Sequence, residues 1–152
     1  MAGLTSALCT SFKVELLEGD HDFNNGADAF KVALFKANAS ITGTYDATTT
    51  NYSDMTGNSD ELPATGGYTT TGFALTNVNP TSTSTTAFTD FSANASWSSA
   101  TFTTRGCLIY NTSDSNSAVA VIDFGADYSV SGGTFEIQWP AADSTNAIIR
   151  IA

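Results

Sequence analysis

Short apolar segments, separated by turn-forming residues and recurring about every ten residues, constrain the fold of this chain more than any other feature. Many of them alternate apolar residues with Thr or Ser, the period-two pattern of a strand with one buried face. Seven or eight such strands predict an all-β fold, a single-domain antiparallel β-sandwich or jelly-roll-like barrel over residues 1–152. The predicted strands are 29–35, 68–78, 85–93, 96–104, 107–110, 118–124, 134–139 and 147–152, with turns at 111–116 and at Gly132 and Gly133.

The N-terminal part of the chain is the exception to this strand pattern. Its apolar residues recur at helical spacing and turn residues flank them, so a helix is favoured over the strand that their alternation also permits. The predicted helix covers residues 10–19, with Ser11 as N-terminal cap, Gly19 at its end, and Phe12, Leu16 and Leu17 on one face.

Charge and hydropathy exclude several partners. Five basic residues stand against fifteen acidic ones, for a formal net charge of -10, so no basic stripe can form and nucleic-acid binding is not expected. The apolar runs are far shorter than the roughly 20 residues that a membrane-spanning helix needs. The N-terminus does not resemble a secretory signal. Cys9 and Cys107 are therefore predicted to be buried free thiols of a protein made in a reducing cytoplasm.

The acidic turn at residues 20–28 resembles a calcium loop, because oxygen-bearing side chains alternate in it. Its Gly26 comes one place late, however, and Lys31 stands where a bidentate Glu closes such loops. A hydrated acidic turn is therefore favoured, and calcium binding stays an open alternative. His21, the sole histidine, is predicted to be a solvated residue of this turn.

No residue pattern predicts catalysis. The chain has no nucleophile elbow of the G-x-S-x-G type and no glycine-rich phosphate loop before a helix. Asp123 and Glu136 lie on predicted strands, where outward-facing acids are expected, and Arg105 and Arg150 are the available partners for an inward one. We predict no catalytic, cofactor-binding or metal-binding residue and no small-molecule substrate.

Six blocks of the sequence carry a resemblance to known proteins. They are SWSSATFTTRGCLIYN (96–111), AVAVIDFGAD (118–127) and the blocks at 135–143, 147–152, 11–17 and 30–35. These blocks are similar to small structural proteins encoded by tailed bacteriophages, over most of the chain apart from residues 41–67. The resemblance implies a virion component, above all a capsid decoration or cement protein, which is commonly β-rich and trimeric and needs no active site.

Two elements are predicted to contact a partner: the N-terminal segment 1–19 and the long polar loop 41–67. Aromatic residues and Met in a polar loop are typical of an interface, but the same residues would also attach the loop to its own domain. The expected partners are the major capsid protein and further copies of the chain in a homotrimer, on the capsid surface of a virion assembled in the bacterial cytoplasm. The candidate contacts are Leu4, Leu8, Phe12, Tyr45, Tyr52 and Met55.

Two alternatives stay open. The first is a virion protein of the tail, the neck or a fibre base, which can resemble a capsid protein in its strand blocks. The second is a carbohydrate-binding module or small hydrolase that uses exposed aromatic residues. Trp97 and Trp139 both lie on predicted strands, where core packing is favoured over sugar binding.

Overall fold

The computed structural model describes residues 2–152, and strands make up most of its regular structure. A short 3₁₀ turn (Asn38–Ser40) joins two of the strands. None of the described helices is long and apolar enough to cross a membrane. In chain order the elements are β1 (Gly3–Leu4), β2 (Ala7–Leu8), α1 (Thr10–Glu18), β3 (Phe30–Leu34), β4 (Thr44–Tyr45), α2 (Tyr52–Gly57), β5 (Phe73–Ala74), β6 (Thr81–Thr83), β7 (Thr86–Thr89), β8 (Ala95–Asn111), β9 (Ser117–Ile137) and β10 (Ile149–Ile151).

Three sheets organise these strands. The largest has the order β2–β9–β8–β3–β5, and every neighbouring pair in it is antiparallel. The second has the order β10–β7–β6 and is also antiparallel, while β1 pairs with β4 in parallel. The all-β prediction is confirmed and the sheets fit a sandwich-like fold, but their strand order does not establish a jelly-roll-like barrel.

The two longest strands, β8 and β9, form a single hairpin where four shorter strands were predicted. The predicted strands 96–104 and 107–110 both belong to β8, and 118–124 and most of 134–139 belong to β9. The turn between them lies at 112–116, as predicted. The prediction of a turn at Gly132 and Gly133 is wrong. Gly132 adopts φ +67° beside a register shift, so β9 bulges there and continues.

The remaining predicted strands are confirmed in position but are mostly shorter. The segment 29–35 forms β3, whereas 68–78 contains only β5, 85–93 contains β7, and 147–152 contains β10. Positive φ angles at Thr71 and Gly72 interrupt the first of the shortened segments. Alternation with Thr therefore located these strands but did not set their length.

The predicted N-terminal helix is confirmed as α1, with two corrections. Gly19 ends it in the left-handed conformation, and its N–H donates to the Glu15 carbonyl, as expected for a helix C-cap. The N-cap residue is Cys9 rather than Ser11. Leu17 does not share the buried face, because at 100° per residue it lies about 140° around the helix from Phe12; it is 89% exposed.

The polar segment 41–67 is folded against the core rather than extended from it. It contains β4 and α2, and Asn51 and Asp54 form a capping box at the start of α2. Its apolar side chains belong to the hydrophobic cluster of the sheets; Ile41, Tyr45, Met55 and Leu62 are all buried.

The core is centred on β3, β8 and β9, which contribute Val32, Leu108 and Val119 without any exposed surface. Both cysteines are buried and unpaired, as the sequence predicts. Burial raises the pKa of the Cys9 thiol to about 12 and also raises the pKa of Cys107. Neither thiol is therefore ionised at neutral pH.

Candidate functional site

The outer half of the β8–β9 hairpin is strongly bent. Phe124 and Phe135 are eleven residues apart in β9, which would separate them by about 36 Å in a straight strand. Their ring centroids lie 6.2 Å apart. Between the Gly106–Asp123 pair and the Thr104–Tyr128 pair, β9 contains three more residues than β8. This large bulge, together with the register shifts between Trp97 and Thr101, bends the hairpin.

Charged groups hold the bulge in place. Arg105 donates to both oxygens of Asp123, with an Nε–Oδ1 distance of 2.7 Å, and these bonds lower the pKa of the carboxyl. Asp123 Oδ1 also accepts from the N–H of Gly125 at 2.9 Å. Asp127 Oδ1 accepts from the N–H of Asn38 at 2.9 Å. Arg105, one of the two partners expected from the sequence, thus pairs with Asp123, and this ion pair stabilises the bulge of the hairpin.

The bent strand encloses an open apolar groove of about 420 Å³, called the β9 groove below. Aromatic rings supply much of its wall, and Tyr128 is the most exposed of them at 53%. Aliphatic side chains and a proline complete the apolar wall. Its lining consists of the rings Phe124, Tyr128, Phe135 and Trp139, the apolar residues Ile122, Ile137, Pro140 and Ile148, and the polar residues Glu136 and Gln138.

The polar residues of the groove are held at its rim. Glu136 is the one charged residue in the lining; its Oε1 accepts from Asn94 Nδ2 at 3.2 Å and from Gln138 Nε2 at 3.0 Å. Trp139 Nε1 donates to the Ala93 carbonyl at 2.9 Å, which fixes the indole ring against the groove. An apolar wall with a few oriented polar groups is typical of a binding site.

Further exposed apolar side chains lie on α1, near the N-terminus, and on β10, near the C-terminus. Val14 and Leu17 of α1 are 51% and 89% exposed, and Ile151 of β10 is 58% exposed. These three residues define the α1–β10 surface. Leu16 and Ile151 line one small cavity, so the two elements are adjacent.

His21 is buried rather than solvated, which corrects the sequence prediction. Its side chain has no exposed surface, and its Nε2 lies 2.9 Å from Glu15 Oε2. Asn111 Nδ2 lies 2.9 Å from His21 Nδ1 and 2.8 Å from Asp28 Oδ2. The acidic turn therefore attaches α1 to the end of β8, and the carboxylate of Asp28 is used within the protein.

Glu15, His21 and Asp114 place possible metal-ligand atoms within 4.8 Å of one another, but the hydrogen bonds oppose a metal at Nε2. Asn111 Oδ1 accepts from the N–H groups of Ser113 and Asp114, so its amino group must face His21 Nδ1. Nδ1 is then an acceptor, and Nε2 carries the hydrogen. A metal on Nε2 would move that hydrogen to Nδ1, against the amino group of Asn111. The cluster therefore fits a structural link.

The candidate contacts predicted from the sequence do not form one surface. Phe12, Tyr45 and Met55 are at most 1% exposed, so these side chains lie in the core and offer no surface to a partner. Leu4, Leu8 and Tyr52 are half-buried and pack against the same core. Tyr45 and Met55 thus attach the loop to its own domain, whereas Tyr52 keeps part of its surface exposed.

One buried carboxylate accounts for much of that attachment. Asp60 has no exposed surface, and its Oδ2 accepts from the Gly43 N–H at 2.8 Å and from the Tyr45 hydroxyl at 2.7 Å. The N–H of Thr42 also donates to it. Burial alone would raise the pKa of Asp60, but these hydrogen bonds hold it below its ordinary value.

The two tryptophans have different environments. Trp97 is 6% exposed and packs against Phe73 and Phe135, as predicted for a core residue. Trp139 is only half-buried and lines the β9 groove. This groove is not apparent from the sequence, because its residues meet only through the bend; the available clue was the single Gly125 and the pair Gly132 and Gly133 between the aromatic residues.

Comparison with known proteins gives no relative for this chain: no family model, no curated protein and no solved structure matches it.

Proposed function

We propose that this chain is a structural protein of a bacteriophage virion that binds the outside of the capsid shell and cements neighbouring capsid subunits. The observation that carries the proposal is the β9 groove, an apolar concave surface that a bent hairpin holds open on an acidic exterior. Exposed apolar patches of this kind mark interaction sites. The resemblance of the strand blocks to small phage structural proteins supplies the virion context.

The proposal assigns the chain a contact role and no reaction. Its partners are the major capsid protein and two further copies of itself in a homotrimer, assembled in the host cytoplasm. A trimer that meets a multivalent shell gains avidity through effective concentration, so each single contact can be weak. We keep the jelly-roll-like barrel as a hypothesis for the strand arrangement, to be tested by an experimentally determined strand order.

Copy number in purified particles tests the location. Decoration of the shell predicts amounts comparable with the major capsid protein, measured by quantitative mass spectrometry of intact particles. Particles lacking this protein should also lose resistance to heat or low salt. A few copies per particle would instead support the tail, neck or fibre-base alternative, and absence from particles would reject both.

The composition of the β9 groove favours one candidate outside the virion class. Tyr128 and Trp139 line a groove that also presents the polar groups of Glu136 and Gln138, a combination that suits sugar stacking with hydrogen bonding. A glycan array is the test. Binding that Trp139→Ala abolishes while the melting temperature holds would support a carbohydrate-binding module; a blank array would remove it.

A further inference from the structure

We propose that the β9 groove binds an extended peptide segment of a partner protein, in which basic side chains alternate with large apolar ones, by addition to the free edge of β9. This inference rests on the proposed docking function and names the chemistry of the partner.

The edge of β9 is available over a long stretch. One side of β9 pairs with β8 along the strand, whereas on the other side the start of β9 is covered: Ala120 and Val121 pair with β2, and Ser117 forms a bridge with Asn51. From Tyr128 to Ile137 this second edge pairs with no strand in the described part of the chain. Unpaired N–H and C=O groups on such an edge are a template for another extended chain.

The groove opens at this edge rather than on one face of the sheet. Successive side chains of a strand point to opposite faces, so a groove over one face receives every second residue. Here, three consecutive residues at the end of β9, Phe135, Glu136 and Ile137, all line the groove. The groove therefore follows the backbone edge itself, where an added strand would lie.

The side chains define what an added strand should carry. Phe124, Tyr128 and Trp139 present apolar surface to one side of such a strand. Glu136 is the one charge in the lining, and its Oε1 is the oxygen that accepts from Asn94 and Gln138, so Oε2 is left for an incoming donor. A strand that alternates apolar and basic residues satisfies both features.

Charge also decides against a second copy of this chain as the occupant. The chain carries 15 acidic residues and only 5 basic ones, so a second copy has few basic side chains to offer Glu136. A basic segment meets the opposite condition, because the acidic exterior attracts it. The partner segment is therefore basic and belongs to a different protein.

Selection from a library of displayed random dodecapeptides against the full-length protein tests this inference. We expect enriched peptides to alternate Lys or Arg with large apolar residues and to bind more weakly as salt rises. With one enriched peptide as the probe, Glu136→Gln should weaken binding about tenfold. Tyr128→Ser should weaken it through lost apolar contact, and the exposed Glu18→Gln, on α1, is the matched control that should leave binding unchanged.

The inference is overturned if no peptide is enriched, if acidic peptides are enriched, or if Glu136→Gln binds as tightly as the original chain. It is also overturned if the enriched peptide competes with self-association of the chain, which would identify a second copy as the occupant. The assay uses no particle. A negative result therefore leaves the copy-number test of the virion role untouched, and absence from particles leaves peptide binding untouched.

Discussion

At the scale of single residues, Asp60 shows why a polar segment of low hydropathy is folded here. Its carboxylate is buried and accepts hydrogen bonds from the backbone at Thr42 and Gly43 and from the Tyr45 hydroxyl. A buried charge is stable only when its hydrogen-bonding capacity is met. The segment 41–67 is therefore organised by one side chain as well as by its apolar residues.

Asp60→Asn should lower the free energy of unfolding by about 1–3 kcal/mol, because the amide places an N–H₂ group among donors that need an acceptor. Urea denaturation measures the change. The exposed Asp20→Asn is the matched control and should stay within about 0.5 kcal/mol of the original chain.

The same pair of proteins gives a pH test. The pKa of Asp60 is lower in the folded state, so its contribution is fully present above the unfolded pKa of about 3.9 and is lost as pH falls through the folded value. The stability difference between the original chain and Asp60→Asn should therefore shrink below about pH 4. A difference that stays constant down to pH 2 would show that the ionised carboxylate is not the stabilising group.

Predictions for single residues were correct where adjacent residues determine the local structure. They failed where residues distant in the sequence determine whether a side chain is buried. The C-cap at Gly19 follows from local sequence alone. The burial of His21 depends on Asn111, which lies ninety positions away and meets it only in the folded chain. The same holds for Tyr45, whose hydroxyl partner lies beyond α2.

At the scale of elements, β8 is the strand on which the core depends, because β3 and β9 flank it on both sides. Leu108→Ala should lower the free energy of unfolding by about 2–5 kcal/mol through lost burial and a residual cavity. Leu17→Ala makes the same chemical change at a position that is 89% exposed, and in dilute, monomeric protein it should cost little or nothing. Thermal and urea unfolding of the two variants measure the contrast; equal losses would place β8 outside the core.

The bend of β9 can be tested through Gly125, which adopts φ +81° in the bulge that closes the groove. An added Cβ meets no atom within 4 Å there, so Gly125→Ala carries backbone strain alone and should destabilise by about 1–2 kcal/mol. Gly57→Ala is the matched control, because it lies in α2 with no positive φ and no contact at its added Cβ. It should be neutral or stabilising. Destabilisation by both variants to the same degree would argue against strain in the bulge.

The sequence located the strands of this hairpin but not their continuity. Turn residues such as Gly132 can end a strand or bulge it, and the choice depends on whether the partner strand continues opposite them. The depth of burial along this predicted strand has the same origin. Ile122 is only half-buried and lines the groove, since the bend exposes that side of β9.

At the scale of the whole molecule, the apolar surfaces predict assembly. We expect light scattering on the purified chain to give three times the 15.8 kDa mass of one copy. The α1–β10 surface is the candidate contact, because its exposed side chains do not line the β9 groove. Leu17→Ser should shift the chain towards monomer while its unfolding transition is retained.

A strict monomer at high concentration would contradict the homotrimer, and so would a Leu17→Ser trimer as stable as the original.

Fold class and the free thiols followed from the sequence because both depend on composition and local pattern. The groove did not, because its walls come from positions spread between 122 and 148 that the bulges of one strand bring together. The glycines at 125, 132 and 133 are the one linear clue to that geometry.

The two buried cysteines can report local unfolding of this protein through their reaction with a thiol reagent. A thiol reagent attacks the ionised sulfur, and burial suppresses ionisation at both positions, so labelling proceeds only in molecules that have opened. Cys9 precedes α1 and Cys107 lies within β8. Their separate labelling rates therefore distinguish detachment of the N-terminal helix from exposure of the central strand, without any engineered probe.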